Sequence, residues 1–101
     1  MNATSLEHLP PGPILVVADN GAIASGGPNW ARRFQAAHRL YRVRLAGPST
    51  VEAIVNEAKA LGAVAIISAG DPTTWALAEA AASELGILVS SEGILNDGTE
   101  P

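Results

Sequence analysis

The sequence predicts an α/β domain in which helices cover the faces of a four-stranded parallel sheet. Short apolar runs alternate with stretches of helical periodicity in the order β-α-β-α-β-α-β, and the links between them are short. Such alternation gives parallel strands joined by right-handed crossovers. The length of 101 residues fits one domain, and its 48% hydrophobic and 16% charged residues are typical of a globular chain.

The first predicted strand follows a proline-rich leader. Residues 1–13 end in a Pro-Pro-Gly-Pro run, which neither a helix nor a central strand accommodates, so we expect a flexible leader. Residues 14–18 are apolar throughout, which favours a strand buried on both faces. The strand ends at an Asp-Asn-Gly turn signal, and the α/β domain is predicted to extend over residues 14–91.

A glycine-rich loop is predicted between this strand and the first helix. We expect the loop to extend through Gly26 and Gly27 and the helix to begin at Pro28, because proline is favoured at a first helical position. The buried stripe of the helix recurs at helical spacing and comprises Trp30, Phe34, Ala37 and Tyr41. His38 borders the stripe and is expected to pack there.

The second half of the chain continues the alternation. Residues 41–46 alternate between apolar residues and arginine, which predicts a strand near an edge of the sheet. Ser49 with Glu52 forms the pattern of a capping box, which predicts the start of the second helix. The apolar run at residues 63–69 predicts a central strand.

A third helix and a fourth strand complete the pattern. Asp71 is predicted to cap the third helix and Pro72 to open it, and Gly62 and Gly86 are expected at the ends of the second and third helices. A fourth strand is predicted from Ile87, and the tail over residues 92–101 is expected to be loose.

Candidate ligand-binding residues follow the strands. In open parallel sheets, ligands bind beyond the carboxyl ends of the strands. The residues predicted at that edge are Asp19, Asn20, Gly21, Ala46, Gly47, Pro48, Gly70, Asp71, Ser90 and Ser91. An acid at the end of the first strand either accepts hydrogen bonds from a ribose diol or caps a turn, and the pattern alone favours neither interpretation.

The glycine-rich loop offers an alternative phosphate position. Its backbone N–H groups at Gly26 and Gly27, with Arg32 in the next turn, form a weak anion-binding pattern. A flexible turn is the competing interpretation, because the segment matches neither a dinucleotide fingerprint nor a P-loop.

Composition excludes several kinds of chemistry. The chain has no cysteine, and its two histidines share no helix face, so we expect no disulfide, no cysteine nucleophile and no metal site. No classical catalytic set is present. Five of the six basic residues fall between Arg32 and Arg44, but the net charge of −4 makes nucleic-acid binding an unfavoured interpretation. With neither a signal peptide nor an apolar run long enough to cross a bilayer, we expect a cytoplasmic protein without membrane contact.

Residues 14–98 resemble, in the same order, the nucleotide-binding half of one dehydrogenase superfamily. The similar segments are Ile14 to Asp19, Arg42 to Pro48, Val51 to Gly62, Ala63 to Gly70, Leu77 to Gly86, and Asn96-Asp97-Gly98. The family comprises iron-containing alcohol dehydrogenases, glycerol dehydrogenase and glycerol-1-phosphate dehydrogenase, with dehydroquinate synthase as a cousin. The resemblance implies a Rossmann-like fold and NAD(P) or another adenosine nucleotide as cofactor.

The resemblance also implies roles for individual residues. The acid that matches Asp19 contacts the adenosine ribose in that family, and the loop that matches Gly47 lies near the adenine. A triple-glycine turn after the third strand cradles the pyrophosphate, and an aspartate at the position of Asp97 approaches the nicotinamide.

This sequence departs from the family at the pyrophosphate cradle. The triple-glycine turn is replaced by Gly70-Asp71-Pro72, and the helical Asp and Lys that follow it are replaced by Ala76 and Glu79. A carboxylate at the helix start repels a phosphate, and proline offers no N–H to bind one. The helical domain that carries the family's metal ligands has no counterpart in these residues, so we expect no dehydrogenase activity from this chain alone.

Three functional hypotheses remain open. The first is a Rossmann-like domain that binds an adenosine nucleotide weakly through a degraded site. The second is a structural or interaction module, a homodimer or a partner subunit, that has lost ligand binding; Trp75 lies off the inward face of the third helix and suggests a contact surface. The third is the nucleotide-binding subunit of a split dehydrogenase whose metal domain is a separate chain.

Overall fold

The computed structural model describes Leu6 and residues 9–95. The elements follow in the order β1 (Ile14–Ala18), α1 (Asn20–Ala36), β2 (Tyr41–Leu45), α2 (Val51–Leu61), β3 (Ala65–Ala69), α3 (Pro72–Leu85), β4 (Leu88–Ser91) and a 3₁₀ turn (Glu92–Leu95). All strand pairs are parallel, and the strand order is β2-β1-β3-β4. The predicted Rossmann-like α/β fold is therefore confirmed.

Two apolar layers hold the helices against the sheet. On one face α1 packs through Trp30 and Phe34, and on the other face α2 and α3 pack through aliphatic residues and alanines. Both faces of β1 and β3 are buried, and every residue of these strands is apolar except Ser68 of β3, which is buried as well. Among the described residues β2 and β4 form the two edges, which confirms the predicted edge position of β2 and the central position of β3.

The prediction that the first helix begins at Pro28 after a glycine-rich loop is wrong, because α1 begins at Asn20. Asp19 caps it, and Asp19 Oδ1 accepts a hydrogen bond from the Ala22 N–H at 2.7 Å. Gly26 lies inside the helix against Trp30: a Cβ added to Gly26 would lie 2.8 Å from the indole nitrogen. The glycine therefore makes room for tertiary packing instead of forming a loop.

The other helix boundaries follow local signals. Asp71 caps α3 and Pro72 opens it, and Gly62 and Gly86 end α2 and α3 in the left-handed conformation, as predicted. The predicted capping box is displaced by one residue, because Thr50 and not Ser49 caps α2. The Ser49 hydroxyl instead donates to the Leu45 carbonyl at 2.6 Å.

Both chain ends contribute to the core on the α1 face. Leu6 and Leu9, which the sequence assigned to the leader, are buried, and so are Ile94 and Leu95, which it assigned to the tail. The Arg33 Nε donates to the Leu95 carbonyl at 3.0 Å and ties the 3₁₀ turn to α1. The packed unit therefore extends beyond the predicted limits of 14 and 91 on both sides.

His38 is exposed and does not pack beside the buried stripe, so this prediction is wrong. It follows the last turn of α1 with a φ of 56°, in the left-handed region that glycine favours. The His38 N–H donates to the Gln35 carbonyl and the Arg39 N–H to the Phe34 carbonyl, which closes the helix end.

Replacing His38 by glycine is expected to stabilise the domain by about 1 kcal/mol, because the left-handed strain of an L-residue is removed. Thermal unfolding would show this as a rise in Tm of about 5 °C. Gly62→Ala is the matched control. Its φ is 75° and a Cβ there meets no atom within 4 Å, so it should lower stability through the backbone alone. An unchanged Tm in H38G would contradict this account of the helix end.

Candidate functional site

The candidate site lies where the chain leaves β1 and β3 in opposite directions. The segment after β1 enters α1 on one face of the sheet, and the segment after β3 enters α3 on the other face. A crevice therefore opens beyond the carboxyl ends of these two neighbouring strands, which is where ligands bind in open α/β sheets. The predicted residues Asp19, Gly70 and Asp71 meet at this crevice.

The Asp19 carboxylate spans the crevice. Its Oδ1 accepts the Ala22 N–H at the start of α1, and its Oδ2 accepts the Asp71 N–H at 3.2 Å. Gly70 makes this approach sterically feasible, because a Cβ at Gly70 would lie 2.7 Å from the Asp19 Cγ. Gly70 also has a φ of 143°, which an L side chain rarely adopts. The Asp19 carboxylate therefore accepts hydrogen bonds from backbone amides at the starts of both α1 and α3.

Asp71 supplies a second carboxylate at the start of α3. Its Oδ1 accepts both the backbone N–H and the hydroxyl of Thr74, each at 2.9 Å. These hydrogen bonds, the backbone one first, lower the pKa of the Asp71 carboxyl below its ordinary value. Pro72, the first residue of the helix, has no N–H to offer. The helix start is therefore capped by the chain's own negative charge.

The lowered pKa of Asp71 makes part of the stability pH-dependent. The folded state favours the carboxylate, so its stabilisation is complete above the ordinary pKa of aspartate and is lost as the pH falls through the lowered folded value. Asp71→Asn keeps an efficient cap but has no titrating carboxyl. We expect the wild type to lose stability relative to D71N as the pH falls from neutral to about 3. Chemical denaturation across this range measures the difference, and a constant difference would refute the expectation.

A first cleft of about 330 Å³ lies beside the two carboxylates. The predicted Gly47 lines it together with residues that the sequence did not single out as ligand contacts. The full lining is Asp19, Ala46, Gly47, Ser49, Asp71, Thr73, Thr74 and Leu77. The predicted Pro48 is exposed in the turn beside it. The cleft joins the ends of β1 and β2 to the start of α3, so it combines carboxylates, hydroxyls and an apolar wall.

A second cleft of about 500 Å³ lies toward β4 and shares Asp71 with the first. Its lining residues are Ser68, Gly70, Asp71, Pro72, Trp75 and Ser91. Trp75 is half-buried, one turn into α3. The sequence identified this tryptophan as a surface feature, but only the tertiary structure brings it beside the serines at the ends of β3 and β4.

The remaining predicted residues lie elsewhere or outside the described part of the chain. Asn20 and Gly21 are exposed at the start of α1. Gly26 and Gly27 lie inside α1, where the helix uses its own amides, so the open N–H groups on which the alternative phosphate site depended are not formed there. Arg32 is exposed on the same helix. Asp97 lies outside the described residues.

The arginines of the basic segment mostly have structural partners. Arg39 donates to carbonyls of the leader, and Arg42 and Arg44 both pair with Glu57 of α2. Within the described residues no group of three His, Cys, Asp or Glu side chains could hold a metal ion.

Comparison with known proteins leaves the family open. No family model matches the chain, and no curated protein matches it. Over Leu6 and residues 9–95, no helix has both the length and the apolar character that crossing a bilayer requires. The fold and the geometry of the crevice are therefore the features of this chain that bear on its function.

Proposed function

We propose that the chain is a Rossmann-like ligand-binding domain that takes the nucleoside part of an adenosine ligand and disfavours its phosphates. The observation that carries this proposal is the Asp19 carboxylate, which holds the Asp71 N–H at the crevice. In nucleotide-binding sheets this position offers free amides to an anionic phosphate. Here the chain's own carboxylates accept those amides, so a phosphate meets negative charge.

The carboxylates leave acceptor capacity for hydroxyl groups. Each Asp19 oxygen accepts one backbone N–H, and an ionised carboxylate has about four acceptor sites. A ribose diol offers two O–H donors, which matches the roughly two acceptor sites that remain on the Asp19 carboxylate. The Thr73 hydroxyl adds a donor and acceptors in the same cleft, whereas the Ser49 hydroxyl donates its hydrogen to the Leu45 carbonyl and adds acceptor capacity alone. These groups suit a neutral, hydroxyl-bearing ring.

The first cleft also suits a planar apolar group beside that ring. Gly47 presents no side chain, and a Cβ there would meet no atom within 4 Å, so a flat base can approach the backbone. Leu77 supplies an apolar wall. The volume of about 330 Å³ falls at the lower end of the range for small-molecule sites, which favours a nucleoside over a dinucleotide.

Titration with adenosine, AMP, ATP and NAD by calorimetry tests the proposal. We expect adenosine to bind at least as tightly as AMP, and ATP and NAD to bind more weakly by about fivefold or more, because like charges a few ångströms apart repel even in water. D71N, which keeps the cap, should recover part of the affinity for AMP. Absence of binding by every ligand at millimolar concentration would refute the proposal, as would NAD binding more tightly than adenosine.

A second function is favoured by the exposed edge of β2, which suits contact with an extended protein segment. Val43 and Leu45 are 36% and 39% exposed, and Leu40 is 73% exposed. The Ile14 N–H donates to the Leu40 carbonyl and the Ala46 N–H to the Ala18 carbonyl, so even-numbered residues of β2 bond to β1. The amides and carbonyls of odd-numbered residues therefore face the open edge.

Charge argues for an acidic partner at this edge rather than a second copy of the chain. Antiparallel pairing of two β2 strands about Val43 would bring Arg42 opposite Arg44 of the other copy, and like charges in that position are destabilising. An extended segment of alternating valine and glutamate meets the apolar and basic faces together. We expect such a synthetic peptide, and not its valine–lysine counterpart, to shift the amide resonances of residues 41–45. Equal effects of both peptides, or none, would refute this function.

A further inference from the structure

The second cleft lies next to the proposed nucleoside site and is joined to it by Asp71. Both clefts are lined by this residue, so a ligand seated in the first cleft extends past Asp71 when it enters the second. The groups beyond Asp71 are an indole and two serine side chains, Ser68 and Ser91. Their chemistry determines which substituent a bound nucleoside can carry.

Trp75 gives the second cleft an aromatic wall. The side chain is half-buried and lines the cleft. The face of an indole attracts cations more strongly than that of any other aromatic side chain. Trp75 lies four residues after Asp71, one helical turn along α3, so an aromatic side chain and a carboxylate border the same space.

The electrostatics of this half of the chain favour a positive ligand. Over the described residues 60–95 the sequence contains four acidic residues and no basic residue. The start of α3 contributes roughly half a positive charge through its dipole, but the full negative charge of the Asp71 carboxylate exceeds it. Both hydrogen bonds that Thr74 donates end on Oδ1, which leaves lone pairs on Oδ2 for a further donor.

We infer that the second cleft binds an organic cation, an ammonium or a sulfonium, carried on the 5′-carbon of the nucleoside. This inference rests on the proposed function, because the first cleft must hold the ribose for its 5′ substituent to reach Asp71. The carboxylate of Asp71 pairs with the cation, the indole of Trp75 covers it, and the serine hydroxyls solvate it. The site thus has the opposite charge preference from a pyrophosphate cradle.

Three ligands that differ mainly in the charge at the 5′ position test the inference: 5′-amino-5′-deoxyadenosine, adenosine and AMP. At neutral pH and low salt we expect the affinities to fall in that order, with steps of about fivefold, the size of one charge pair near a solvated surface. Trp75 fluorescence reports occupancy of the second cleft, since the other tryptophan, Trp30, is 3% exposed in the core.

Two variants separate the charge from the aromatic contribution. D71N keeps the helix cap and should bring the amino compound and adenosine to similar affinities. Trp75→Leu should weaken the amino compound and leave adenosine unchanged, and Trp75→Phe should retain part of the preference and guards against a folding defect in the leucine variant. Salt should weaken binding of the amino compound, strengthen that of AMP by screening its repulsion, and leave that of adenosine unchanged.

The outcomes distinguish this inference from the proposed function. Binding of adenosine with no gain for the amino compound would overturn the cation site and leave the nucleoside site intact. A gain for the amino compound that persists in D71N and in both Trp75 variants would also overturn it, because the charge preference would then arise elsewhere. Absence of binding by all three ligands would overturn the proposed function and this inference together.

Discussion

Replacing Gly70 by alanine is expected to destabilise the domain by about 3 kcal/mol, since backbone strain and overpacking each contribute roughly 1–3 kcal/mol. The φ of 143° belongs to a region that an L-residue rarely adopts. The added Cβ would also lie 2.7 Å from the Asp19 Cγ, whose carboxylate is held by amides at both helix starts. Unfolding in urea would measure the loss, which is large beside the 5–15 kcal/mol that stabilises a typical domain.

Two further variants assign this effect to the crevice. Gly47→Ala is the matched control, because a Cβ there meets no atom within 4 Å, and it should change stability by less than about 0.5 kcal/mol. In a background that carries Asp19→Ala, Gly70→Ala should cost less than in the wild type, because the clash is removed and only the backbone strain remains. An equal loss of stability from Gly70→Ala in the two backgrounds would show that the Asp19 side chain does not clash with a Cβ at position 70.

Replacing Arg39 by alanine is expected to cost about 3 kcal/mol, because hydrogen bonds to a charged group contribute about 1.5–3 kcal/mol each and are not additive. One guanidinium nitrogen donates to the carbonyls of Pro10 and Gly12, and the other donates to those of Leu6 and Leu9. These bonds hold two buried leucines against the α1 face. Denaturant unfolding measures the stability, and limited proteolysis measures release of the leader.

The controls for Arg39 are chosen from the same basic segment. Arg32→Ala removes an exposed arginine from α1 and should be nearly neutral. Arg39→Lys keeps the positive charge but replaces the two donating guanidinium nitrogens by one ammonium nitrogen. A single nitrogen cannot serve both pairs of carbonyls, so lysine should recover less than half of the stability that R39A loses. If R39A is as stable as R32A, the leader does not depend on this contact.

Local signals in the sequence were sufficient to predict the helix boundaries that a capping residue or a glycine determines. Asp71-Pro72 and the glycines at 62 and 86 specify their boundaries through backbone geometry alone, and the structure agrees with each. The apolar runs of β1 and β3 likewise predicted central strands, since burial on both faces favours apolar residues, and Ser68 of β3 is the one polar residue in these two strands.

The start of α1 was predicted wrongly although the contacts that fix it are local. Gly26 and Gly27 indicated a loop, but Asp19 caps a helix in which Trp30, one turn further on, packs against Gly26. Other features depend on long-range contacts. The bond from the Asp71 N–H to Asp19 links residues 52 positions apart, and no spacing rule anticipates it. The second cleft was predicted in part, because Gly70, Asp71 and Ser91 were expected at the ligand-binding edge, but nothing in the sequence placed Trp75 beside them.

The composition of α1 has a consequence for local unfolding. Its first half carries three glycines and Pro28, and a proline leaves the Ala24 carbonyl without its usual intrahelical donor. Within α1 we therefore expect amide hydrogen exchange to be faster over residues 20–27 than beyond Trp30, where the helix packs into the core. Each opening event would break the hydrogen bond from the Ala22 N–H to Asp19 Oδ1, so this oxygen alternates between capping α1 and being hydrated, while Oδ2 still accepts the Asp71 N–H.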